Sequence, residues 1–227
     1  MPDRVGKFNY DTRFFRRYGP FFREARKLPA DAVVLVIGAN DGVVADPSAH
    51  VWQPGWSGYF VEPNAAAMAR LQRNRRGVFI NAAISAEQGS LTLWTMTDEA
   101  AAAYERVGAN GTCLTSHDRE HIVTRIRENL PGTAASFGVD NMVKEIQVPA
   151  MRVAELFAEY SIPTPHLIQV DIEGMESVVV PQCLELGAQI VLWEHQHEQD
   201  KGALEALAEE EGYRVQRLRN DSLACLR

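Results

Sequence analysis

The feature that most constrains the fold is the stretch VVLVIGANDG, residues 33–42, where five apolar residues end in a turn with two glycines. A strand that is apolar on both faces is typical of the centre of a parallel sheet, because helices cover each side. Gly38 and Gly42 permit backbone conformations that other residues resist and allow a ligand to approach the main chain. The stretch therefore predicts the first strand of an open α/β sheet, with a ligand at its carboxyl end.

The rest of the chain alternates between strands and helices. We predict strands at 58–63, 78–85, 89–94, 166–174 and 188–196, helices at 64–74, 153–160 and 204–212, and a terminal hairpin at 213–218 and 222–227. Asn64 has the side chain of a helix N-cap for the first of these helices. The alternation indicates an α/β fold, a doubly wound and mostly parallel sheet with an antiparallel terminal hairpin.

Two parts of the chain lie outside this alternation of strands and helices. Residues 1–30 hold eight basic and three acidic residues, and we predict a helical segment there, anchored by Phe14, Phe15, Phe21 and Phe22. The main domain then covers 31–227, and its residues at about 95–147 fit the alternation poorly, which indicates an insertion over one end of the sheet. In this insertion Ser116 is a candidate N-cap for a helix whose apolar stripe, Ile122, Ile126 and Leu130, packs on the domain or forms a homodimer face.

Composition excludes several classes of protein. A chain of 227 residues, 46% hydrophobic, suits one globular domain with a sizeable core. The net charge of −7 argues against general nucleic-acid binding, and we see neither a membrane-spanning apolar run nor a secretory signal. The three widely spaced cysteines are typical of reduced thiols. We therefore expect a cytoplasmic protein whose partners are neither nucleic acid nor membrane.

The turn itself indicates the kind of ligand. A dinucleotide fingerprint reads G-x-G-x-x-G, but Asn40 stands where the second glycine would let a pyrophosphate sit against the backbone. Glu62 ends the next predicted strand, 20 residues past Gly42, where an acid can accept hydrogen bonds from both ribose hydroxyls. The third strand brings Asn81 and Ala82, a polar and a small residue suited to an adenine edge. A ribose acid without a phosphate cradle favours S-adenosylmethionine as the cofactor.

At this point six segments resemble a known family. They are VIGANDG (36–42), FVEPN (60–64), NAAIS (81–85), VPAMRVAEL (148–156), QVDIEGMES (169–177) and IVLWEH (190–195). In this order, over roughly residues 33–195, they are similar to the FkbM family of S-adenosylmethionine-dependent methyltransferases. The resemblance implies a class I methyltransferase (Rossmann-like) fold and O-methylation of a hydroxyl on a sugar or another natural product. By motif position it implies cofactor contacts at Gly38, Asn40, Asp41, Gly42, Glu62 and Asn81.

Two positions depart from the family pattern. Gln169 stands where the family commonly has Lys, so no lysine function carries over to this chain. Ala154 stands where the family commonly has Asp, which removes a candidate helix N-cap. Because Gln169 is uncharged, it stays open whether a charged side chain lies beneath the site.

Methyl transfer to a hydroxyl needs a group that removes the proton, and a well-placed base contributes about 10² to 10⁴-fold. Asp171 ends one central strand, and Glu194 and His195 end the next. In one mechanism His195 or a carboxylate is the general base. In the other, Asp171 and Glu194 share a divalent metal such as Mg²⁺, as analogy with catechol-type methyltransferases suggests. A cofactor contact for Asp171 and structural roles for Glu194 and His195 stay open.

The insertion and its neighbours offer further candidates. Thr115, Ser116 and His117, together with Glu173 on the turn after Asp171, are predicted to lie near a small-molecule hydroxyl acceptor. His117 and His121 share the i, i+4 spacing of a zinc motif, and His195 and His197 form a second pair. The spacing leaves a zinc hydrolase as an alternative, and solvated histidines as another. A non-catalytic nucleoside-binding scaffold is the alternative from outside the enzymes.

Overall fold

A computed structural model describes residues 12–107, 114–195 and 202–227. Its main sheet contains seven strands, which are β1 (Val33–Ile37), β2 (Ser57–Val61), β3 (Val78–Ile80), β8 (Leu167–Val170), β9 (Ile190–Glu194), β10 (Tyr213–Arg217) and β11 (Asp221–Leu226). Their order across the sheet is β10-β11-β9-β8-β1-β2-β3, and the five strands from β9 to β3 run parallel. This arrangement confirms the α/β class and the Rossmann-like class I methyltransferase fold.

The strand order reverses beside β1. The chain runs outward from β1 through β2 and β3, and later returns to the other side of β1 with β8 and β9. All five residues of β1 are buried, because strands flank it and apolar clusters cover both of its faces. Ligands of open α/β sheets bind at the carboxyl ends of the strands that flank such a reversal. The candidate residues Gly38, Asp171 and Glu62 all follow these strands.

The terminal hairpin is confirmed, and β11 lies inside the sheet rather than at its edge. Antiparallel pairing joins β10 to β11, and β11 also pairs antiparallel with β9, which places Asp221 opposite Glu194. Five of the six residues of β11 are buried, as expected for a strand with neighbours on both sides, whereas β10 is largely exposed at the edge. The start of β11 therefore reaches the edge of the sheet where the site lies.

Helices cover both faces of the main sheet. They are α1 (Thr12–Arg17), α2 (Gly19–Ala25), α3 (Ala65–Asn74), α7 (Val153–Tyr160), α8 (Glu176–Leu184) and α9 (Ala203–Glu210). Asn64 caps α3 as predicted, since its side chain accepts from the N–H groups of Ala66 and Ala67. Phe21 and Phe22 anchor α2 in the core, but Phe15 is an exposed residue of α1, so the prediction of an anchor at Phe15 is wrong.

A second sheet of four strands lies beside the first. Its strands are β4 (Ala83–Ile84), β5 (Gly89–Met96), β6 (Thr115–Ser116) and β7 (Val143–Met151), in the order β4-β7-β5-β6. The single strand predicted at 78–85 is thus wrong, because the chain leaves the main sheet after β3 and enters the second sheet at β4. Asn81 marks the break, where its amide donates to the main-chain carbonyls of Glu62 and Pro63.

In the described residues between β5 and β7, three α-helices lie within the proposed insertion. They are α4 (Asp98–Arg106), α5 (Arg119–Asn129) and α6 (Pro131–Phe137). The predicted apolar stripe of α5 is buried on the domain in a cluster of its own with α4 and β5. The N-cap of α5 is Asp118 rather than Ser116, because the side chain of Asp118 accepts from the N–H of Glu120. Within the described residues, no helix combines the length and apolarity needed to cross a membrane.

Candidate functional site

The carboxyl ends of β1, β2 and β8 open into a cleft with about 940 Å³ of empty space, its open mouth included. Its lining comprises Ile37–Asn40, Val44–Asp46, Val61–Pro63, Ala82–Ile84, Leu91, Leu93, Thr115, Ser116, Gln169, Asp171–Glu173 and Met175. The cleft is of the size that holds cofactors and drug-sized ligands. Its two ends differ in chemistry, since apolar residues of the second sheet line one end and carboxylates line the other.

The turn after β1 has an unusual backbone. Gly38 has a φ of +78° and Asn40 a φ of +47°, both in the left-handed region, where Asn is among the few side chains that are tolerated. The N–H groups of Gly38 and Ala39 both donate to the carbonyl of Val61, and the N–H of Asn40 donates to Oε2 of Glu62 at 2.8 Å. The left-handed residues thus turn consecutive N–H groups toward the end of β2.

Glu62 is the acid predicted to bind ribose, and it is buried at the wall of the cleft. Its Oε2 accepts from the N–H of Asn40 and its Oε1 from the N–H of Asn64, each at 2.8 Å. Burial raises the pKa of Glu62 to about 7, while the two backbone N–H donors oppose this shift. Each oxygen keeps a further lone pair with which it could accept from a ligand hydroxyl.

Three of the predicted cofactor residues are absent from the lining of the cleft. Asp41 accepts from the N–H groups of Val43 and Val44, so its carboxylate stabilises the turn. Gly42 faces α3, where a Cβ would crowd Leu71 and Arg75. Asn81 is exposed and bonded to main-chain carbonyls, whereas its neighbour Ala82 lines the cleft. These three residues therefore stabilise the structure around the cleft without lining it.

Three carboxylates meet at the other, acidic end of the cleft, where Asp171 and Glu173 belong to the lining and Glu194 does not. Asp171 follows β8, Glu173 is on the turn after it, and Glu194 ends β9; one oxygen from each lies within 4.8 Å of the others. Burial raises the pKa of Asp171 and of Glu194, and the neighbouring carboxylates raise both further. Such a group can take a proton from a hydroxyl or, as a set of hard oxygen donors, can hold a divalent cation.

Hydrogen bonds hold the turn that carries Glu173. Glu173 has a φ of +53°, a conformation that non-glycine residues rarely adopt. The carboxylate of Glu176 accepts from the N–H groups of Ile172 and Gly174, and the hydroxyl of Ser116 donates to the carbonyl of Glu173 at 2.9 Å. Nε2 of His121 lies 3.2 Å from Oε2 of Glu173. The insertion therefore contacts the acidic end of the cleft directly.

Among the described residues, no histidine belongs to a group of three or more potential metal ligands. His195 is buried, and its Nδ1 shares a hydrogen bond of 2.9 Å with the hydroxyl of Ser222, which itself donates to Glu205. His117 is exposed and lies beside Gly174, while His121 contacts Glu173. His197 lies outside the described residues. Of the candidates for the acceptor end, Thr115, Ser116 and Glu173 line the cleft and His117 does not.

Sequence reasoning missed several lining residues. Leu91 and Leu93 alternate along β5, so their spacing shows that they share a face, but not that this face closes the cleft. Asp46 caps a short 3₁₀ helix, Pro47–His50, and lies 3.5 Å from the buried guanidinium of Arg75. The sequence Asp-Pro-Ser signals that cap, but its place in the cleft depends on the loop after Gly42.

Comparison with known proteins now identifies the family. The model of the methyltransferase FkbM domain matches residues 37–215, which is most of the chain. The chain belongs to the FkbM methyltransferase family. This FkbM methyltransferase is accordingly a transferase that uses S-adenosylmethionine as its cofactor. The zinc-hydrolase and scaffold alternatives are therefore wrong, and in the described part of the chain no histidine joins a cluster of potential metal ligands.

Several solved structures align with this chain at low sequence identity. A methyltransferase FkbM from Methylobacillus flagellatus aligns with a TM-score of 0.49 and 10% identity, over 86% of this chain and 44% of that one. A precorrin-6y C5,15-methyltransferase from Geobacter metallireducens gives 0.42 and 10%, over 92% and 86%. A fibrillarin from Aeropyrum pernix with natively bound S-adenosylmethionine gives 0.43 and 9%, over 87% and 67%. Among curated sequences, none matches. The family assignment rests on the domain match.

Proposed function

We propose that this FkbM methyltransferase transfers a methyl group to a hydroxyl of a small molecule, a sugar or another natural product. The observation that carries the proposal is the group of carboxylates Asp171, Glu173 and Glu194, of which the first two line the same cleft as Glu62. A methyl acceptor that is a hydroxyl must lose a proton, whereas the cofactor needs only a binding site. The cleft offers groups for both tasks.

The cofactor site is proposed from Glu62 and the turn after β1. When bound, S-adenosylmethionine supplies an electrophilic methyl group. Glu62 accepts from the two ribose hydroxyls, and its carboxylate is already oriented by the N–H groups of Asn40 and Asn64. Ala82 and Ile84, with Leu91 and Leu93, provide an apolar surface for an adenine ring. Because residue 38 is a glycine, the turn after β1 packs directly against the backbone of Asp171. The residues proposed to bind the cofactor therefore lie on one packed wall of the cleft.

The proton of the acceptor goes to a carboxylate in this proposal. Asp171 lines the cleft, and Glu194 lies beside it. Burial and mutual repulsion raise the pKa of both groups, so the pair retains a proton at neutral pH and its ionised member is the one that acts as the base. His195 is the weaker candidate, because its Nδ1 is bonded to Ser222 and because, unlike Asp171, it does not line the cleft. The proposal therefore moves the base from His195 to the Asp171–Glu194 pair.

A divalent cation is the second candidate for this end of the cleft. Asp171, Glu173 and Glu194 offer three carboxylate oxygens within 4.8 Å of one another, and such oxygens suit Mg²⁺ or Mn²⁺. A cation there would lower the pKa of the acceptor hydroxyl in place of a general base. The carboxylates fit the ion, so the choice between base and metal depends on a chelation experiment.

The proposal is tested with methyl-labelled S-adenosylmethionine and matched pairs of acceptors that differ by a hydroxyl or an amine at one position. We expect label in products of hydroxyl-bearing sugars or polyols and none in those of the paired amines. Asp171→Asn should reduce the rate by about 10² or more, while the exposed Asp31→Asn serves as the matched control. Transfer to amines only, with no effect of Asp171→Asn, would contradict the proposal.

A further inference from the structure

Asn64 uses every hydrogen-bonding group of its side chain at the junction of three elements. Its Oδ1 accepts from the N–H groups of Ala66 and Ala67 at the start of α3. Its Nδ2 donates to the hydroxyls of Thr95 on β5 at 3.2 Å and of Thr115 on β6 at 3.0 Å. Asn64 is 7% exposed, so water does not compete for these groups. A residue that an N-cap role alone explains would need only the first pair of bonds.

The main chain of Asn64 reaches the proposed cofactor site. Its N–H donates to Oε1 of Glu62 at 2.8 Å, which fixes one of the two oxygens proposed to bind ribose. Asn64 therefore orients Glu62 through its backbone and contacts the two threonines through its side chain. Nothing in this contact depends on the identity of the side chain at position 64.

The hydrogen bonds from Asn64 to Thr95 and Thr115 lead toward the acceptor end of the cleft. The hydroxyl of Thr95 donates to the carbonyl of Leu114, and Thr115 lies 3.4 Å from Thr95, so the Asn64 amide joins both strands. The next residue along β6, Ser116, donates to the carbonyl of Glu173 at 2.9 Å. A continuous chain of contacts therefore runs from Glu62 through Asn64, Thr115 and Ser116 to Glu173.

We propose that Asn64 is a positioning residue that couples the cofactor end of the cleft to its acceptor end, by holding β6 and the Glu173 turn in place relative to Glu62. The inference rests on the proposed cofactor site at Glu62. A ligand bound at Glu62 stabilises Asn64 and its neighbours further, and the Asn64 amide passes this stabilisation to β6, which among the described residues has two members and pairs with β5. The acceptor wall therefore opens less readily in the enzyme loaded with cofactor than in the free enzyme.

The choice of side chain supports this role. Asp and Ser cap helices as well as Asn does, but neither can donate two hydrogen bonds while it accepts two others. The hydroxyl of Thr95 is committed to Leu114, so it can accept from position 64 but cannot also donate there. The side-chain amide of asparagine combines two N–H donors with an oxygen that can cap the helix.

The test measures hydrogen–deuterium exchange with S-adenosylhomocysteine as the probe, since it needs no acceptor. In the unmodified protein, saturating S-adenosylhomocysteine should slow exchange in segments 38–44, 114–118 and 171–176. Asn64→Ser keeps the capping oxygen and the N–H bond to Glu62 but removes the amide. We expect binding to stay within about threefold, while the ligand-dependent slowing at 114–118 and 171–176 falls by about 2- to 12-fold.

Thr115→Val is the second variant, because it removes one of the two acceptors of the Asn64 amide, the one on β6, with little change of shape and leaves the α3 cap intact. It should reproduce the loss of slowing at both segments and leave segment 38–44 unchanged. Thr92→Val is the matched control: Thr92 is on the same sheet, is exposed and accepts from Gln147. It should behave as the unmodified protein does.

Two results would overturn the inference separately from the proposed function. If Asn64→Ser and Thr115→Val bind S-adenosylhomocysteine and retain full slowing at 114–118, Asn64 does not couple the two ends. If either variant loses binding altogether, Asn64 or Thr115 belongs to the cofactor site itself. Failure of the unmodified protein to bind S-adenosylhomocysteine would instead remove the proposed cofactor site, and the coupling with it.

Discussion

The backbone of Gly38 lies against the carbonyl oxygen of Asp171, with no room between them for a Cβ atom. Adjacent to this contact, the N–H of Asp171 donates to the carbonyl of Ile37 at 2.9 Å. The glycine turn and the acidic end of the cleft are therefore one packed unit at the reversal of strand order. Access to a φ of +78° is the second reason for a glycine at position 38.

Gly38→Ala should destabilise the protein more than another glycine replaced at a similar φ. Gly187 provides the control, since its φ is +67° and a Cβ there would meet no atom within 4 Å. We expect Gly187→Ala to lower the free energy of unfolding by about 1–2 kcal/mol through backbone strain alone. Gly38→Ala should cost about 1–3 kcal/mol more through overlap with Asp171. Equal losses in chemical denaturation would show that the contact with Asp171 is relaxed.

Asn40→Gly tests why the second glycine of a dinucleotide fingerprint is missing. Glycine accepts the left-handed φ of +47°, so the variant should fold. It should bind S-adenosylhomocysteine more weakly, because it loses a polar side chain in the cleft and gains backbone freedom. It should not gain useful affinity for NAD, since a ribose acid alone does not cradle a pyrophosphate. Tight NAD binding by this variant, measured by calorimetry, would overturn our interpretation of the turn.

The affinity for S-adenosylhomocysteine should increase with pH through the pKa of Glu62, about 7 in the folded protein. The ionised carboxylate accepts better from ribose hydroxyls, so the dissociation constant should fall from about pH 6 to about pH 8 and then level off. The same ionisation acts on folding with the opposite sign. Because the folded pKa lies above the unfolded value, the contribution of Glu62 to stability is present at low pH and is lost as the pH rises through 7.

Glu62→Gln should remove this pH dependence while it keeps the size of the side chain. The exposed Glu209→Ala should keep it, and so serves as the control. A dependence that survives in Glu62→Gln would assign the titration to another group. Isothermal titration at a series of pH values measures both the binding constant and the protons taken up.

Local patterns in the sequence predicted much of the fold. Apolar strands, the Asn64 cap and the bounds of α7 follow from residues that act on near neighbours. The break after β3 was not predicted, because the residues 78–85 are apolar throughout except for Asn81 and the final Ser85, and only tertiary bonds to Glu62 and Pro63 show where the strand ends. The place of β11 between β9 and β10 likewise depends on pairing across the sheet.

Part of the site could also be predicted from the sequence. Residues that end parallel strands share an edge, so Glu62, Asp171 and Glu194 could be assigned to it from the sequence. The side chains of Asp41 and Asn81 turn to main-chain groups instead, which motif position does not reveal. The contribution of Leu91, Leu93 and Thr115 depends on how the second sheet folds over the cleft, which involves contacts distant in sequence.

A chelation experiment separates a carboxylate base from a metal at Asp171, Glu173 and Glu194. Without a metal, turnover of a true acceptor should survive exhaustive treatment with EDTA, and Glu194→Gln should lower it by about 10² or more. With a metal, EDTA should abolish turnover and Mg²⁺ or Mn²⁺ should restore it. Binding of S-adenosylhomocysteine by Glu194→Gln serves as the folding control. His195→Ala should have a smaller effect than Glu194→Gln, and the reverse order would return the base to His195.

The most direct measurement is a calorimetric titration of the unmodified protein and of Glu62→Ala with S-adenosylhomocysteine and, separately, with NAD. We predict that the unmodified protein binds S-adenosylhomocysteine in preference to NAD. The variant should lose about 1.5–3 kcal/mol of binding free energy, roughly 10 to 150-fold in affinity, since we propose Glu62 as a charged acceptor for two hydroxyls. Preferential binding of NAD, or an affinity for S-adenosylhomocysteine that Glu62→Ala leaves unchanged, would contradict the assignment of the cleft.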